Sequence, residues 1–164
     1  MGYRNKTYVV LDYDTDHRHY NIMKAWKEHD KIEFDFHNAH ELNNLRNDSS
    51  EETIKAKLRE RMANSKQVIV LVGEKTKFNH KYVRWEQDLA ISQKLPIIAV
   101  NLNGKDGATD FTPPVLKDNA WFVSVPFEMK KIKYALEYFP AHHAKYHHEG
   151  ASSRIYDWSK IKLD

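Results

Sequence analysis

The chain has 164 residues, of which 41% are hydrophobic and 30% charged, and its formal net charge is +3 at pH 7. This size and balance predict one domain with a substantial core. Its cations are scattered among almost as many acids, which argues against nucleic-acid binding, and the absence of cysteine excludes disulfides, thiolate catalysis and cysteine-bound zinc. The longest apolar run, residues 68–72, is too short to cross a bilayer, and the first residues lack a signal-peptide pattern, so we expect a cytoplasmic protein.

Apolar, β-branched segments alternate with segments of helical spacing along the chain. The predicted elements in chain order are a strand at residues 7–11, a helix at 20–28, a strand at 32–36, a helix opened by a Ser49–Glu52 capping box and running to about 64, a strand at 67–72, a helix ending near 94, strands at 97–100 and 121–125, and a helix at 127–139. Polar loops are predicted at 12–16, 37–48 and 102–118, and the last of these has room for a further short helix.

The alternation predicts an α/β protein of the flavodoxin-like type, with a five-stranded parallel sheet in the order 2-1-3-4-5 and helices on both faces. Strands 67–72 and 97–100 are apolar on both sides, as central parallel strands are. Pro140 is expected to end the last helix. Residues 1–140 are therefore predicted to form the domain, and residues 141–164 a C-terminal tail that docks on it through its apolar second half.

One carboxylate, Glu86, falls on the wrong side of its predicted helix. It lies among an apolar stripe formed by Tyr82, Val83, Trp85, Leu89 and Ala90. The opposite, solvent-facing side is predicted to contain Arg84, Gln87, Asp88 and Lys94. An ionised carboxylate in a core costs several kcal/mol unless it is paired or reaches a wet cleft. The helix follows the third strand and so begins at the sheet edge where ligands bind; the pattern alone leaves open whether Glu86 is functional or pairs with a core group and serves structure.

The second candidate cluster is Asp12, Asp14 and Asp16, after the first strand. Clustered acids at this place hold Mg²⁺ in phosphorylated receiver domains, but that chemistry needs an acceptor aspartate after the third strand, where this chain reads Val72-Gly73-Glu74. It also needs a lysine after the fifth strand, which is missing here. The receiver interpretation fails, and the alternative is that these acids cap the first helix and solvate its loop.

Two other kinds of site lack sequence support. The five glycines do not have the spacing of a phosphate-binding loop, so a nucleotide would not be held in the P-loop or dinucleotide-fold manner. Four histidines follow Pro140, at positions 142, 143, 147 and 148, but no carboxylate stands between them as in the metal-binding HExxH motif. No bound metal is expected.

Four segments together resemble a known family. In order they are VLDYDTD (10–16), MKAW (23–26), VLVGE (70–74) and YVRWE (82–86), and they resemble the TIR-like domain of the bacterial Thoeris ThsB family over about residues 7–140. The resemblance implies that Glu86 corresponds to the catalytic glutamate of NAD-cleaving TIR enzymes, which lies in a Trp-x-x-x-Glu motif where this chain has Tyr82. Many TIR enzymes have Ser-Tyr-Arg after the first strand; Asp12-Tyr13-Asp14 keeps the tyrosine and loses the cation.

The resemblance also implies a function. It predicts an anti-phage protein that cleaves NAD at the nicotinamide–ribose bond and makes a cyclic ADP-ribose-type signal for a separate effector, with NAD as substrate and no further cofactor. Asp12, Tyr13, Asp14, Phe36 and Tyr82 would bind the substrate, and residues 38–48 occupy the position of the TIR BB loop, which mediates self-assembly in relatives. The alternatives are a non-catalytic TIR-like signalling or interaction module and a flavin- or nucleotide-binding flavodoxin relative.

Overall fold

The computed structural model of the protein describes residues 6–29, 35–36, 50–78 and 82–163. Its strands are β1 (Lys6–Val10), β2 (Asp35–Phe36), β3 (Gln67–Val72), β4 (Ile97–Asn101), β5 (Trp121–Pro126) and β6 (Ser152–Arg154). Its α-helices are α1 (Tyr13–Glu28), α2 (Glu51–Ala63), α3 (Val83–Ser92), α4 (Pro114–Asn119) and α5 (Met129–Tyr146). Within these described ranges, no helix is both long and apolar enough to cross a membrane.

The strands form one parallel sheet in the order β2-β1-β3-β4-β5-β6. The predicted α/β fold and the order 2-1-3-4-5 are confirmed. The sheet has one strand more than predicted, because residues 152–154 of the tail pair with β5, Val123 lying opposite Arg154. Three exposed or half-exposed residues give too short a pattern for a strand to be recognised from sequence.

Each face of the sheet has its own apolar core. Side chains that alternate along the strands, such as Tyr8 and Val10 of β1, pack under α2, α3 and α4. The intervening side chains, such as Val9 and Leu11, pack under α1 and α5. All six residues of β3 are buried, as predicted for a central parallel strand.

Helix α1 begins at Tyr13, seven residues before the predicted start at Tyr20. The predicted polar loop at 12–16 is therefore the N-cap and first turn of this helix, with Asp14 and Asp16 in the turn. Acids are favoured there because the helix N-terminus carries partial positive charge. A polar first turn lacks apolar periodicity, which is why the sequence pattern placed the start too late.

Helix α2 begins one residue later than the predicted capping box implies. Its N-cap is Ser50, whose Oγ accepts a hydrogen bond of 3.2 Å from the Thr53 backbone N–H. Ser49 lies outside the described residues.

We expect Ser50→Ala to lower the free energy of unfolding by about 1 kcal/mol, because the substitution removes the acceptor for an orphan helix N–H. Urea denaturation measures the loss. Ser92→Ala is the control, since that exposed serine donates to Leu89 O near the C-terminal end of α3 and accepts no N-terminal helix N–H. Equal stability losses in the two variants would contradict the cap.

Helix α3 is buried on more than one side. Arg84 and Asp88 are exposed, as predicted, and form an i,i+4 ion pair of 3.0 Å. The prediction for Gln87 was wrong: it is fully buried, and its Nε2 donates to Val83 O. The reason is that α3 lies between α2 and α4. These neighbouring helices cover sides of α3 that do not face the sheet.

Two further expectations concern the second half of the chain. The loop at 102–118 does contain a short helix, α4, with Pro114 at its first position, where a missing N–H costs nothing. The predicted end of the last helix at Pro140 was wrong, because α5 continues to Tyr146. Proline removes one hydrogen bond from a helix interior, and burial of Phe139 and His143 on either side of Pro140 offsets that loss.

The segment after residue 140 packs against the rest of the chain. Besides β6, its contacts include a 3.0 Å hydrogen bond from Trp158 Nε1 to Asp106 Oδ1 and edge contacts of Tyr156 and Trp158 with the Tyr134 ring. Helix α5 runs through the predicted boundary at residue 140 without a break.

His143 is a buried titratable group in this segment. It is 7% exposed, and its ring stacks on His147 with centroids 4.6 Å apart. Burial, with repulsion from His147 adding to it, lowers the pKa of His143 to about 4.

The pKa of His143 is lower in the folded chain than in the unfolded chain. At pH values between these two pKa values, the unfolded chain therefore binds more protons than the folded chain. We expect stability to fall as pH drops from about 6.5 towards 4, and His143→Phe to flatten this dependence. Urea midpoints across that pH range measure it. His148→Phe, at an exposed histidine, should leave the slope unchanged; an unaltered slope in His143→Phe would refute the assignment.

Candidate functional site at the carboxyl edge of the sheet

Because all strands are parallel, their carboxyl ends meet at one edge. Strand β1 ends at Val10, β3 at Val72 and β4 at Asn101, and the segments that follow form the rim of that edge. Open α/β sheets bind ligands outside these ends. Two groups of polar residues lie there, one on each face of the sheet.

Glu86 is the central residue of the first group. It lies in the first turn of α3 and is 5% exposed. As the periodicity predicted, it faces inward with Val83 and Ala90, which are buried in the same core. The Tyr8 hydroxyl, from the interior of β1, donates a hydrogen bond to Glu86 Oε2.

The contact between Tyr8 and Glu86 joins β1 to α3, the helix that follows the neighbouring strand β3. A side-chain hydrogen bond stabilises by about 0.5–1.5 kcal/mol, and losing one partner of a buried pair costs more because the other polar group is left unsatisfied. The contact gives Glu86 the core partner that a structural role requires. It also fixes the carboxylate in one orientation, as a catalytic role requires.

The remaining predicted site residues are divided between the two faces of the sheet: Tyr82 packs against the same core as Tyr8, and Tyr13 packs against the opposite core. Asp12 is the buried N-cap of α1, and its carbonyl oxygen accepts the Asp16 N–H at 2.9 Å. Tyr13 is half-buried and Asp14 is exposed on the first turn of the same helix. These residues lie next to the end of β1.

Tyr82 lies at the start of α3, whereas Phe36 lies in register with Thr7, near the start of β1. Tyr82 immediately precedes α3, is half-buried and packs against the core cluster under α2, α3 and α4. Phe36 is the last residue of β2 and pairs with Thr7 of β1. The predicted long loop that follows it, residues 37–48, lies outside the described residues.

The second group centres on Asp16, which sequence reasoning treated only as part of an acidic cluster. Asp16 is 6% exposed, and its Oδ2 has no hydrogen-bond partner among the described residues. Burial raises the pKa of Asp16 to about 6; repulsion from Asp12 and then Glu74 acts in the same direction, while the Thr15 hydroxyl and His17 oppose it.

Gly73, directly after β3, makes room for the Asp16 carboxylate. A Cβ at this position would lie 2.5 Å from Asp16 Oδ1 and 2.6 Å from Oδ2, so a side chain cannot be added without moving the carboxylate. The Gly73 N–H donates to Thr76 Oγ1, which in turn donates to Leu71 O and closes the turn. A glycine after a buried strand was the available sequence signal, but its partner could not be read from spacing.

A cleft of about 300 Å³ opens beside Asp16 and Gly73. Its other lining residues are Thr15, His19, Val72, Glu74, Lys75, Leu102, Asn103 and Phe111. His19 Nδ1 is buried and has no partner among the described residues. Burial, and to a smaller extent repulsion from Arg18, lowers the pKa of His19 and so favours the neutral ring. Neither Glu86 nor Tyr82 lines this cleft.

Within the described ranges, no group of three histidine, cysteine, aspartate or glutamate side chains is arranged to hold a metal ion. The histidines after Pro140 contact one another and aromatic rings instead: His143 stacks on His147, and His142 Nδ1 lies 3.1 Å from the Tyr156 hydroxyl.

The family model for the Thoeris protein ThsB, TIR-like domain, matches residues 7–106. This range contains β1 from its second residue, β2 to β4 and α1 to α3, and with them Glu86, Tyr8, Asp16 and Gly73. The parallel α/β sheet and the order of its strands agree with the fold expected from the resemblance. The chain belongs to the ThsB TIR-like domain family and is a protein of Thoeris anti-phage defence.

Proposed function

We propose that this protein cleaves NAD at the nicotinamide–ribose bond and releases a cyclic ADP-ribose-type signal, with Glu86 as the catalytic residue. The observation that carries the proposal is a carboxylate in the first turn of α3, at the carboxyl edge of the sheet, held by the Tyr8 hydroxyl. Such an arrangement retains a charge in a core that hydrophobic side chains would otherwise fill more favourably. Family membership supports the same reaction.

The proposed chemistry needs a fixed negative charge near the ribose. As the bond from ribose C1′ to the nicotinamide nitrogen breaks, its electron pair neutralises the pyridinium nitrogen, and positive charge develops on C1′ and the ring oxygen. The Glu86 carboxylate stabilises that oxocarbenium-like transition state and accepts hydrogen bonds from ribose hydroxyls. A nucleophile from the other half of the same molecule then closes the ring and loses a proton; attack by water instead gives ADP-ribose.

Tyr8 acts as a positioning residue in this proposal. Electrostatic stabilisation is strongest when the charged group does not have to reorganise during the reaction. Tyr8 belongs to a strand and is only 1% exposed, so its hydroxyl provides a rigid support of this kind. Tyr13, Phe36 and Tyr82 are proposed to pack against the nicotinamide or ribose, and Asp12 and Asp14 to line the remaining wall.

The proposed partners follow the same reasoning. NAD is the substrate, and no separate cofactor is needed because the leaving group is already cationic. Self-association through the segment at 38–48 and transfer of the nucleotide signal to a separate effector complete the proposal. We propose the cytoplasm as the place of the reaction, because its reducing conditions suit a sequence without cysteine.

The alternative is a TIR-like signalling module without turnover. It is favoured by the same contact, because Tyr8 already gives Glu86 a partner inside the core. In that case Glu86 serves only to tie α3 to β1.

Nicotinamide release from NAD separates the two functions. The assay uses the full chain, both purified and in cells challenged with phage, and compares it with Glu86→Gln. Release that depends on Glu86 supports the enzyme. Release that is unaffected by the substitution would contradict the catalytic assignment, and an absence of release in both purified protein and challenged cells would favour the signalling module.

A further inference from the structure

The cleft beside Asp16 has the features of a ligand site separate from Glu86. Asp16 is more than nine-tenths buried, lines the cleft and retains one carboxylate oxygen without a partner among the described residues. An unpartnered buried carboxylate costs stability, since its lost hydration is not replaced. Its place at the carboxyl edge of a parallel sheet is where such folds bind small molecules.

The polar groups of the cleft define what it can accept. Asp16 accepts hydrogen bonds. His19 Nδ1 is also buried and has no partner among the described residues; it can donate a hydrogen bond to a hydroxyl or accept one from it, according to its tautomer. The two acids at the cleft, Asp16 and Glu74, outnumber its one cation, Lys75. This charge balance disfavours a phosphate inside and favours a neutral group that donates hydrogen bonds.

The apolar part of the cleft adds a second requirement. Val72, Leu102 and Phe111 are its apolar lining residues; Phe111 is only partly buried, and Lys77 Nζ lies 5.9 Å from the centroid of its ring. A flat aromatic group can pack against these apolar side chains. A volume of about 300 Å³ suits a ligand at the small end of those that protein pockets bind.

We propose that the Asp16 cleft binds a ribonucleoside, with the vicinal hydroxyls of its ribose donating to Asp16 and its base packed against Phe111 and Leu102. The ribonucleoside is either free or the nucleoside half of a dinucleotide whose phosphates remain in solvent. The inference goes beyond NAD cleavage at Glu86 and does not depend on it, because the two side chains lie on opposite faces of the sheet and Glu86 does not line the cleft.

The test is titration of the full, isotopically labelled chain with each of the four common ribonucleosides at millimolar concentrations, followed by NMR. At least one is expected to shift the amide signals of Thr15, Gly73 and Leu102. Its 2′-deoxy analogue should bind at least about fivefold more weakly, because one donor to the carboxylate is lost. Absence of localised shifts with all four, or equal affinity for the deoxy analogue, would overturn the proposal.

Two variants locate the ligand on Asp16. Asp16→Ala is expected to weaken binding by about tenfold or more, while thermal unfolding shows that the fold is kept. Gly73→Ala leaves Asp16 in the chain but places a Cβ 2.5 Å from its Oδ1, and should weaken binding similarly. Asp118→Ala, at an exposed aspartate of α4, is the matched control. Unchanged affinity in folded Asp16→Ala would also overturn the site.

The source of the nucleoside is distinguished by competition. NAD is added to the Glu86→Gln variant with the ribonucleoside bound. If NAD displaces the ribonucleoside, the cleft binds one half of the dinucleotide. If the ribonucleoside stays bound, the cleft binds a free nucleoside. Since binding is followed by chemical shifts rather than turnover, loss of the Asp16 site and failure of the proposed NAD cleavage give different results.

Discussion

Replacing Glu86 with glutamine is expected to lower nicotinamide release from NAD by at least about 100-fold, the loss typical when one preorganised electrostatic group is removed from an active site. Glutamine is nearly isosteric and keeps a carbonyl oxygen that accepts the Tyr8 hydroxyl hydrogen, so the core contact is retained. The change removes the negative charge alone. The measurement is nicotinamide released per unit of protein, in purified form and in phage-challenged cells.

Three controls make this result specific. Glu60→Gln removes a carboxylate from an exposed position on α2 and should leave release unchanged. Tyr8→Phe removes the positioning hydroxyl and is expected to reduce release by a smaller factor than Glu86→Gln, with the charge still present. Thermal unfolding of each variant verifies the fold. Glu86→Gln with full turnover would end the catalytic assignment, whatever the behaviour of Tyr8→Phe.

The second large effect concerns stability at Asp16. We expect Asp16→Asn to raise the free energy of unfolding at pH 7 by about 2 kcal/mol. The folded-state pKa of about 6 lies above the usual value of 3.8, so the folded chain holds its proton more tightly than the unfolded chain does. Stability from this group is therefore present below about pH 4 and is lost as pH rises through 6. Asparagine carries no charge and removes that loss.

Urea denaturation between pH 4 and pH 7.5 measures this effect. The difference between Asp16→Asn and the unsubstituted chain should be smallest near pH 4, grow through the window from 4 to 6 and level off above it. Asp14→Asn, in the same helical turn but exposed, is the matched control and should show no such growth. A stability difference that does not change with pH would refute the raised pKa of Asp16.

A stabilising substitution at Asp16 would itself be informative. Proteins retain destabilising groups at sites where activity or binding needs them. Asp16→Asn that is more stable but binds ribonucleoside more weakly would show such a trade-off at the cleft. The buried acid would then be explained by its ligand rather than by folding.

Much of the fold was accessible from sequence because local patterns and sheet topology agree. Strand β3 was predicted at residues 67–72, where all six side chains are buried, and the β/α alternation of a flavodoxin-like fold predicted the strand order. Gln87 and Pro140 were misjudged for a common reason. Whether a helix flank is covered, or a helix continues past a proline, depends on neighbours distant in sequence, which periodicity cannot represent.

The candidate site divides in the same way. Glu86 was recognisable because a carboxylate interrupted an apolar stripe, but its partner Tyr8 lies 78 residues away and looked like an ordinary strand residue. Asp16 was visible only as one of three acids. Its burial follows from the absence of a side chain at Gly73, a contact between the start of α1 and the end of β3 that no spacing rule describes.

The pairing of β4 with β5 has a practical consequence for work on this family. The segment by which the family is recognised stops at residue 106, whereas Ile98 to Asn101 are paired with β5, beyond that limit. Expressed alone, residues 7–106 would expose β4 as a long apolar edge, which templates intermolecular pairing. A fragment that ends at the limit of detectable homology is therefore expected to aggregate, and a usable expression boundary should lie beyond β6.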